Sequence, residues 1–131
     1  MLDIAAGHGL FGIMLAQRNP RTEIVAVDWT AVLAVARNNA VKMGVGERYR
    51  TIAGDAFTVD FGSAFDVALV TNFLHHFDIE TNVVFMRKVA AALPWGRAIC
   101  TERCAFPCAL RAADWLGKCG PINCAWPTWV P

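Results

Sequence analysis

Residues 2–12 read Leu-Asp-Ile-Ala-Ala-Gly-His-Gly-Leu-Phe-Gly, and this stretch carries the clearest structural signal in the chain. Asp3 lies in a short apolar run, and Gly7 and Gly9 flank a single residue before an amphipathic segment begins. Glycine lets a backbone turn tightly and approach a ligand, because it has no Cβ. The free N–H groups at the start of the following helix point into that turn. The stretch therefore predicts a strand, a glycine turn and a helix that together receive a nucleotide-type ligand.

Short apolar runs and amphipathic segments alternate outward from this stretch. The predicted strands are residues 2–5, 23–28, 49–53, 65–71 and 97–101. The predicted helices are residues 10–18, 30–43 and 80–93, with Thr30 as the cap of the second helix. Strands that alternate with helices imply a parallel sheet with right-handed crossovers. We therefore predict a doubly wound, mostly parallel, Rossmann-like α/β sheet in which the first strand lies between the second and the fourth.

The composition excludes several classes of protein. The chain has 131 residues, of which 56% are hydrophobic and 18% charged, so it can bury a core and disorder is not expected. Its formal net charge is +1, which gives no basic footprint for nucleic acid or an anionic membrane. The apolar stretch 4–17 is shorter than the about 20 residues that span a bilayer. Asp3 stands where a signal peptide would carry basic residues, so we expect a cytoplasmic protein.

The chain changes character near Pro94. All five cysteines and four of the five tryptophans follow it. Segment 100–131 could hold a disulfide framework, a zinc site that lacks the usual Cys-x-x-Cys pairs, or unpaired structural cysteines. It could also be a sequence foreign to this fold, such as one read out of frame. We favour this last interpretation, predict a boundary between 1–99 and 100–131, and expect loose packing from about Cys104 onward without a disulfide or metal site.

Four motifs in this order resemble the class I methyltransferases that use S-adenosylmethionine. The resemblance covers about residues 1–99 and is greatest to small-molecule O-methyltransferases whose full chains place a winged-helix dimerisation domain before the catalytic one. The first motif is Asp3-Ile4-Ala5-Ala6-Gly7-His8-Gly9, which is similar to D-x-G-x-G-x-G with Ala5 replacing the first glycine. The second is Asp28 at the end of the second strand, and the third is Gly54-Asp55-Ala56-Phe57, which is similar to G-D-x-F. The fourth is Asn72-Phe73-Leu74-His75-His76-Phe77 after the fourth strand.

The resemblance implies a chain truncated at both ends. The first strand would be a stub, and the last two strands of the family's sheet would be missing. The dimerisation domain would be absent too, and full-length relatives would be homodimers through it. The implied cofactor is S-adenosylmethionine and the implied methyl acceptor is a hydroxyl group of a small organic molecule. We expect such a fragment to bind the cofactor at best, because its acceptor pocket lacks walls.

The resemblance also implies the residues that hold the cofactor. Gly7 and Gly9 would bring backbone N–H groups to the methionyl end, with Asp3 nearby to orient the amine or a water molecule. Asp28, at a strand end, would accept both ribose hydroxyls.

The adenine end is expected to lie near residues that follow the second and third strands. Trp29 or Phe57 would pack against the ring, and Asp55 would accept from its amino group. Ala56 and Asn72 complete the predicted contacts, and no metal site is expected.

His75 is the predicted catalytic residue. In the O-methyltransferases resembled here, a catalytic His follows the fourth strand in a run like H-D-W-x-D. His75-His76-Phe77-Asp78 matches the His and the aromatic residue two positions on, but not the first Asp. Histidine titrates near neutral pH, which suits a base that takes a proton from a hydroxyl.

Two other functions stay open at this point. Gly7-His8-Gly9-Leu10-Phe11-Gly12 also satisfies G-x-G-x-x-G, and Asp28 follows at the spacing of a nicotinamide- or flavin-binding fingerprint. Asp3 and Asp55 favour the methyl donor over the dinucleotide. The other alternative is an inactive fragment that at most binds the cofactor.

Overall fold

The computed structural model describes residues 1–94, 98–100 and 109–111. Its strands are β1 (Leu2–Ile4), β2 (Ile24–Asp28), β3 (Tyr49–Ala53), β4 (Val67–Val70), β5 (Ala98–Cys100) and β6 (Ala109–Arg111). Its α-helices are α1 (Leu10–Arg18), α2 (Thr30–Lys42) and α3 (Ile79–Ala91), and single 3₁₀ turns at Gly46–Arg48 and Leu74–His76 precede β3 and α3. Among these described helices, none is long and apolar enough to cross a membrane.

The strand order is β3-β2-β1-β4-β5-β6, and the first five strands in that order run parallel. Ile4 of β1 lies opposite Val27 of β2 on one side and Val70 of β4 on the other. The predicted fold class and the central place of the first strand are therefore confirmed. The chain changes direction across the sheet between β1 and β4, so the carboxyl ends of these two strands border a crevice.

The sheet continues beyond the five strands that the sequence predicted. β6 pairs antiparallel with β5, with Leu110 opposite Ile99. The sequence analysis did not identify this short strand. A three-residue strand is too short to show a period-2 pattern, and the free edge of β5 supplies the pairing partner that periodicity cannot reveal. The predictions for the cysteine-rich segment otherwise lie outside the described residues.

Two apolar layers cover the sheet, one on each face. Helices α1 and α2 cover one face, where the buried cluster comprises Ala6, Ile13, Ala16, Ile24, Ala26, Leu33, Ala36, Ala40, Val45 and Tyr49. Helix α3 and the connection 54–66 cover the other, around Leu2, Ile4, Val27, Ala56, Phe61, Ala68, Val70, Phe85, Met86, Val89, Ala92 and Leu93. Alternation along β1 sends Leu2 and Ile4 to the α3 face and leaves Asp3 facing α1.

The helix starts differ from the predicted ones for identifiable reasons. Thr30 does not cap α2; Trp29 is the N-cap residue and its side chain makes no capping bond. The Trp29 N–H instead donates to Asp28 Oδ1 at 2.7 Å. Helix α3 begins one residue before the predicted start, because Asp78 Oδ1 accepts from the Thr81 N–H at 2.8 Å. At both helix starts an aspartate side chain accepts a backbone N–H: Asp28, the last residue of β2, before α2, and Asp78 before α3.

Candidate ligand site

The predicted site residues lie where four parallel strands end. The segments are residues 5–9 after β1, Asp28 and Trp29 at the end of β2, residues 54–57 after β3, and residues 72–77 after β4. Because carboxyl ends of parallel strands share one edge of a sheet, the fold brings all four segments to that edge.

The glycine loop is tied to the end of β2. The Gly7 N–H donates to Asp28 Oδ2 at 2.9 Å, and the Ala6 N–H donates to the Val27 carbonyl at 3.2 Å. The Gly9 N–H donates to the Ala6 carbonyl at 2.8 Å. Both glycine amides that the sequence assigned to a ligand are thus engaged within the chain. Their φ angles of +57° and +77° show that the loop needs glycine for its conformation.

The two glycines differ in their surroundings. A Cβ on Gly9 would lie 2.6 Å from Tyr49 Oη and 3.1 Å from the Ala36 Cβ, so the loop packs tightly against β3 and α2 at this point. A Cβ on Gly7 would meet no atom within 4 Å. Gly9 therefore serves close packing, whereas Gly7 faces open space among the described residues.

Two non-glycine residues at this edge have a left-handed backbone. Ala5 has a φ of +53°, at the position where the resembled motif carries glycine, and Asn72 has a φ of +51° just after β4. Asparagine tolerates this region through its short polar side chain, whereas an alanine there costs about 1–2 kcal/mol. The strain at Ala5 lies in the loop that forms the candidate site, as is common at functional sites.

Asp3 is a buried carboxyl group beneath the glycine loop. Its residue is 1% exposed, and neither carboxyl oxygen has a hydrogen-bond partner among the described residues. Burial raises its pKa to about 7; the nearby Gly12 N–H, whose geometry falls short of a hydrogen bond, opposes this shift, and the negative charge of Asp28 adds to it. Tyr49 Oη is also buried without a partner, and burial, followed by Asp3 and Asp28, raises the pKa of Tyr49. A ligand group that is cationic or donates a hydrogen bond would offset the cost of burying the Asp3 carboxylate.

Asp28 and Trp29 face the opening beside the loop. The Asp28 carboxylate accepts one N–H on each oxygen, from Gly7 and from Trp29, and each oxygen keeps acceptor capacity for a ligand. The Trp29 side chain is 62% exposed. The pair offers two hydrogen-bond acceptors beside an open aromatic face.

The segment after β3 is held by α3. Asp55 Oδ1 accepts from the Phe57 N–H at 2.9 Å, and the Ala56 carbonyl accepts from Lys88 Nζ at 2.8 Å. The Phe57 ring lies 4.9 Å from the ring of Phe85 on α3, measured between centroids. Because its ring packs inside the molecule, Phe57 offers a ligand less surface than Trp29 does.

The histidine pair lies in the 3₁₀ turn between β4 and α3. His75 and His76 are both exposed, and their ring centroids are 4.0 Å apart. An exposed imidazole can exchange protons with a bound molecule and with water. Within the described part of the chain, no group of three or more His, Cys, Asp or Glu side chains could hold a metal ion.

The sequence analysis missed three features of this site. Tyr49 is the single tyrosine of the chain and the first residue of β3, and an aromatic residue in a predicted strand is a candidate for burial. Phe73 and Phe77 flank the histidines at a spacing of four, which could have indicated a shared packing direction. No sequence signal points to the contact between Lys88 and Ala56, because it joins distant segments.

A groove of about 1100 Å³ opens at the opposite, amino edge of the sheet. Its lining includes Met1, Thr22 and Val67, which lie at or beside the starts of β1, β2 and β4. None of the predicted site residues lines it. The groove is therefore separate from the candidate ligand site.

Comparison with known proteins identifies similar chains. The sequence profile described as a methyltransferase domain matches residues 1–96. A solved structure from Nostoc punctiforme, described as a candidate O-methyltransferase, is 52% identical with a TM-score of 0.75, over 76% of this chain and 30% of that one. The release factor glutamine methyltransferase of Chlorobaculum tepidum is 42% identical over 55% of this chain and 26% of its own length. The phenazine O-methyltransferase of Lysobacter antibioticus is 28% identical over 72% of this chain and 27% of its own length.

These similarities decide between the alternatives left open by the glycine motif. The profile match and the similar chains are methyltransferases and not dinucleotide-binding dehydrogenases, so the latter interpretation is not retained. The chain spans about a quarter of the length of these two curated relatives and 30% of the solved chain.

Proposed function

The chain belongs to the methyltransferase domain family, and we propose that its carboxyl-edge site binds S-adenosylmethionine for methyl transfer to a hydroxyl group of a small organic molecule. The observation that carries this proposal is the Asp28 carboxylate, held at the end of β2 by the N–H groups of Gly7 and Trp29. The likeness to the Nostoc protein and to the phenazine O-methyltransferase supports oxygen as the accepting atom.

The residues present fit the parts of this cofactor. Asp28 has acceptor capacity on both oxygens for the two ribose hydroxyls, and Trp29 offers a free ring face to adenine. Asp55, half-buried after β3, would accept from the adenine amino group, next to the Ala56 backbone. The adenine end would thus lie between the ends of β2 and β3.

The methionyl end fits the glycine loop. The space beside Gly7 is open, and the unpartnered carboxyl group of Asp3 lies below the loop. A positively charged amine above it would lower the pKa of Asp3 towards its usual range, because an opposite charge favours the ionised form. Asn72, exposed at the end of β4, is a further polar contact that we assign to this end.

His75 is the residue that we assign to the chemistry. When bound, the cofactor supplies an electrophilic methyl group attached to a positively charged sulfur. The exposed His75 imidazole would accept the hydroxyl proton of the acceptor, which is worth about 10²–10⁴ in rate. The strand ends would hold cofactor and acceptor in line, and positioning of this kind supplies much of the remaining rate.

A binding experiment tests the cofactor assignment in this chain. S-adenosylhomocysteine, the demethylated product, should raise the Tm and give a saturable calorimetric signal, whereas NAD should do neither. Asp28→Ala should abolish both effects. Asp60→Ala is the matched control, because its carboxylate also accepts a backbone N–H, from Gly62, but lies away from the strand ends. Equal stabilisation by NAD would contradict the assignment.

A second experiment tests His75, in a longer relative that carries the same run from Asn72 to Phe77. With labelled S-adenosylmethionine and a panel of phenols, His75→Ala should lose most of its turnover and keep its affinity for the cofactor. His76→Ala is the matched control and should keep turnover. Unchanged turnover in His75→Ala would show that proximity alone accounts for the reaction.

A further inference from the structure

Four phenylalanine rings pack together behind the candidate site, and we call them the phenylalanine cluster: Phe57, Phe73, Phe77 and Phe85. The Phe57 centroid lies 5.8 Å from that of Phe73, and 4.9 Å from those of both Phe77 and Phe85. Phe73 lies 5.0 Å from both Phe77 and Phe85. Contacts at these separations are attractive for aromatic rings and fix their mutual orientation.

The cluster joins two loops that are separate along the chain. Phe57 belongs to the segment after β3 that carries Asp55, whereas Phe73 and Phe77 stand on either side of the histidine pair. Phe85 is buried on α3 and contacts rings from both loops. The expected adenine end of the site and the expected catalytic end thus share one packed group of side chains.

Polar contacts attach both loops to the same helix. Asn82 Nδ2 donates to the carbonyls of Leu74 at 2.9 Å and of Phe77 at 3.2 Å. Six residues further along α3, Lys88 Nζ donates to the Ala56 carbonyl and lies 4.3 Å from the centroid of the Phe61 ring. A shift of either loop therefore has to be accommodated by α3 and the cluster.

We propose that Phe57 is a positioning residue that couples occupancy of the cofactor site to the placement of His75, and that it is not an adenine contact. The proposal rests on the proposed function. Rings in mutual contact restrain one another's orientation, so a displacement of one ring acts on its neighbours. A cofactor that orders the segment around Asp55 would move or restrain the Phe57 ring. Because Phe73 and Phe77 contact this ring and flank the histidines, the histidine turn would shift or be restrained as well.

The three histidines of the chain allow a direct test by NMR. His8 lies in the glycine loop and reports on the cofactor site, while His75 and His76 report on the turn after β4. In the wild type with ¹³C-labelled histidine, saturating S-adenosylhomocysteine should shift the ring signals of all three. In Phe57→Leu the His8 shift should remain and the shifts of His75 and His76 should be lost.

Phe65→Leu is the matched control. Phe65 is half-buried, packs against the same core, and is absent from the ring contacts of the described residues. It should keep all three shifts. Full His75 and His76 shifts in Phe57→Leu would mean that the ligand reaches the turn directly, and would overturn the proposal.

A second variant covers the case in which Phe57→Leu does not fold. Phe77→Leu keeps the Phe57 ring and removes its edge-to-face partner at the end of the histidine turn, and it should show the same selective loss. A wild-type response confined to His8 would also overturn the proposal while leaving cofactor binding intact. If S-adenosylhomocysteine gives neither a His8 shift nor a calorimetric signal, the proposed function itself fails.

Discussion

At Asp3, stability and ligand binding make opposite demands on one side chain. The carboxyl group is buried beneath the glycine loop and has no hydrogen-bond partner among the described residues. Its ionised form is unfavourable in the free protein, because burial removes it from water. The same charge would attract the amine of the proposed cofactor. A carboxylate in the proposed binding role would therefore serve the ligand at a cost in stability.

Asp3→Asn should change how stability depends on pH. The pKa of Asp3 is about 7 in the folded protein, against an ordinary aspartate value of 3.8. Between these values the folded state binds the extra proton, so wild-type stability falls as pH rises through this window. Between pH 4 and pH 8 the free energy of unfolding of the variant should rise relative to that of the wild type by up to about 4 kcal/mol. Urea unfolding at a series of pH values measures this difference.

The control for this prediction is Asp60→Asn, which removes an exposed carboxylate. Its pH profile should run parallel to that of the wild type. Asp3→Asn should also bind S-adenosylhomocysteine more weakly at pH 8, although it is more stable there. Parallel profiles for Asp3→Asn and the wild type would show that Asp3 is ionised without penalty.

Gly9→Ala should destabilise the protein by about 1–3 kcal/mol, since the new Cβ would press on Tyr49 Oη in a close-packed region. Gly9→Ala/Tyr49→Phe should recover part of that loss, because the contact at 2.6 Å is made by the hydroxyl oxygen. Urea unfolding of the two single variants and the double variant measures the coupling. Gly7→Ala is the control, because it introduces left-handed strain but its Cβ would meet no atom within 4 Å. Strictly additive effects of Gly9→Ala and Tyr49→Phe on the free energy of unfolding would contradict the prediction.

At the scale of elements, α3 links the histidine turn to the rest of the fold, and its start is the position to test. Asp78→Ala removes the carboxylate that accepts the Thr81 N–H. The variant should have a lower Tm and a lower urea midpoint at neutral pH. Hydrogen bonding to Thr81 lowers the pKa of Asp78, so its stabilising effect should be lost as pH falls through the acidic range. Glu80→Ala in the same turn, which is not the cap, should change the midpoint less.

The order and type of the elements could be predicted because they depend on local patterns. The run from Ile24 to Asp28 is apolar on both faces, as a central parallel strand must be. The start of α2 could not be predicted from Thr30, because the helix has Trp29 as its N-cap residue and uses no side-chain capping bond. β6 depends on the edge that β5 offers, which no local pattern shows.

The same distinction holds for the candidate site. Gly7, Gly9 and Asp28 could be named from the sequence, because turn geometry and a strand-end carboxylate leave a local signature. Phe57 was named as one of two candidate adenine contacts. The structure packs its ring against residues from the next loop and from α3, and its contact with adenine stays a prediction. Such partners come from tertiary packing, which spacing along the chain does not encode.

At the scale of the whole molecule, the two edges of the sheet differ in kind. The carboxyl edge collects the glycine loop, Asp28, the Asp55 segment and the histidine turn. The amino edge carries a wide groove that none of these residues lines. Left-handed backbone occurs at both edges, at Ala5 and Asn72 on the carboxyl side and at Ala64 in the lining of the groove, so the proposal for the carboxyl edge rests on its side chains.

The pairing of β1 with β4 has a kinetic consequence. It brings Ile4 beside Val70, so the binding edge is incomplete until two distant parts of the chain have met. Closing such a long loop costs conformational entropy, and we expect the loops of this edge to reach their final positions only after the strands have paired and the rate-limiting step of folding has passed. S-adenosylhomocysteine should therefore slow unfolding in stopped-flow urea jumps and leave the refolding rate unchanged, with Asp28→Ala insensitive in both directions. Faster refolding in the presence of S-adenosylhomocysteine would mean that the carboxyl edge of the sheet is already formed in the folding transition state.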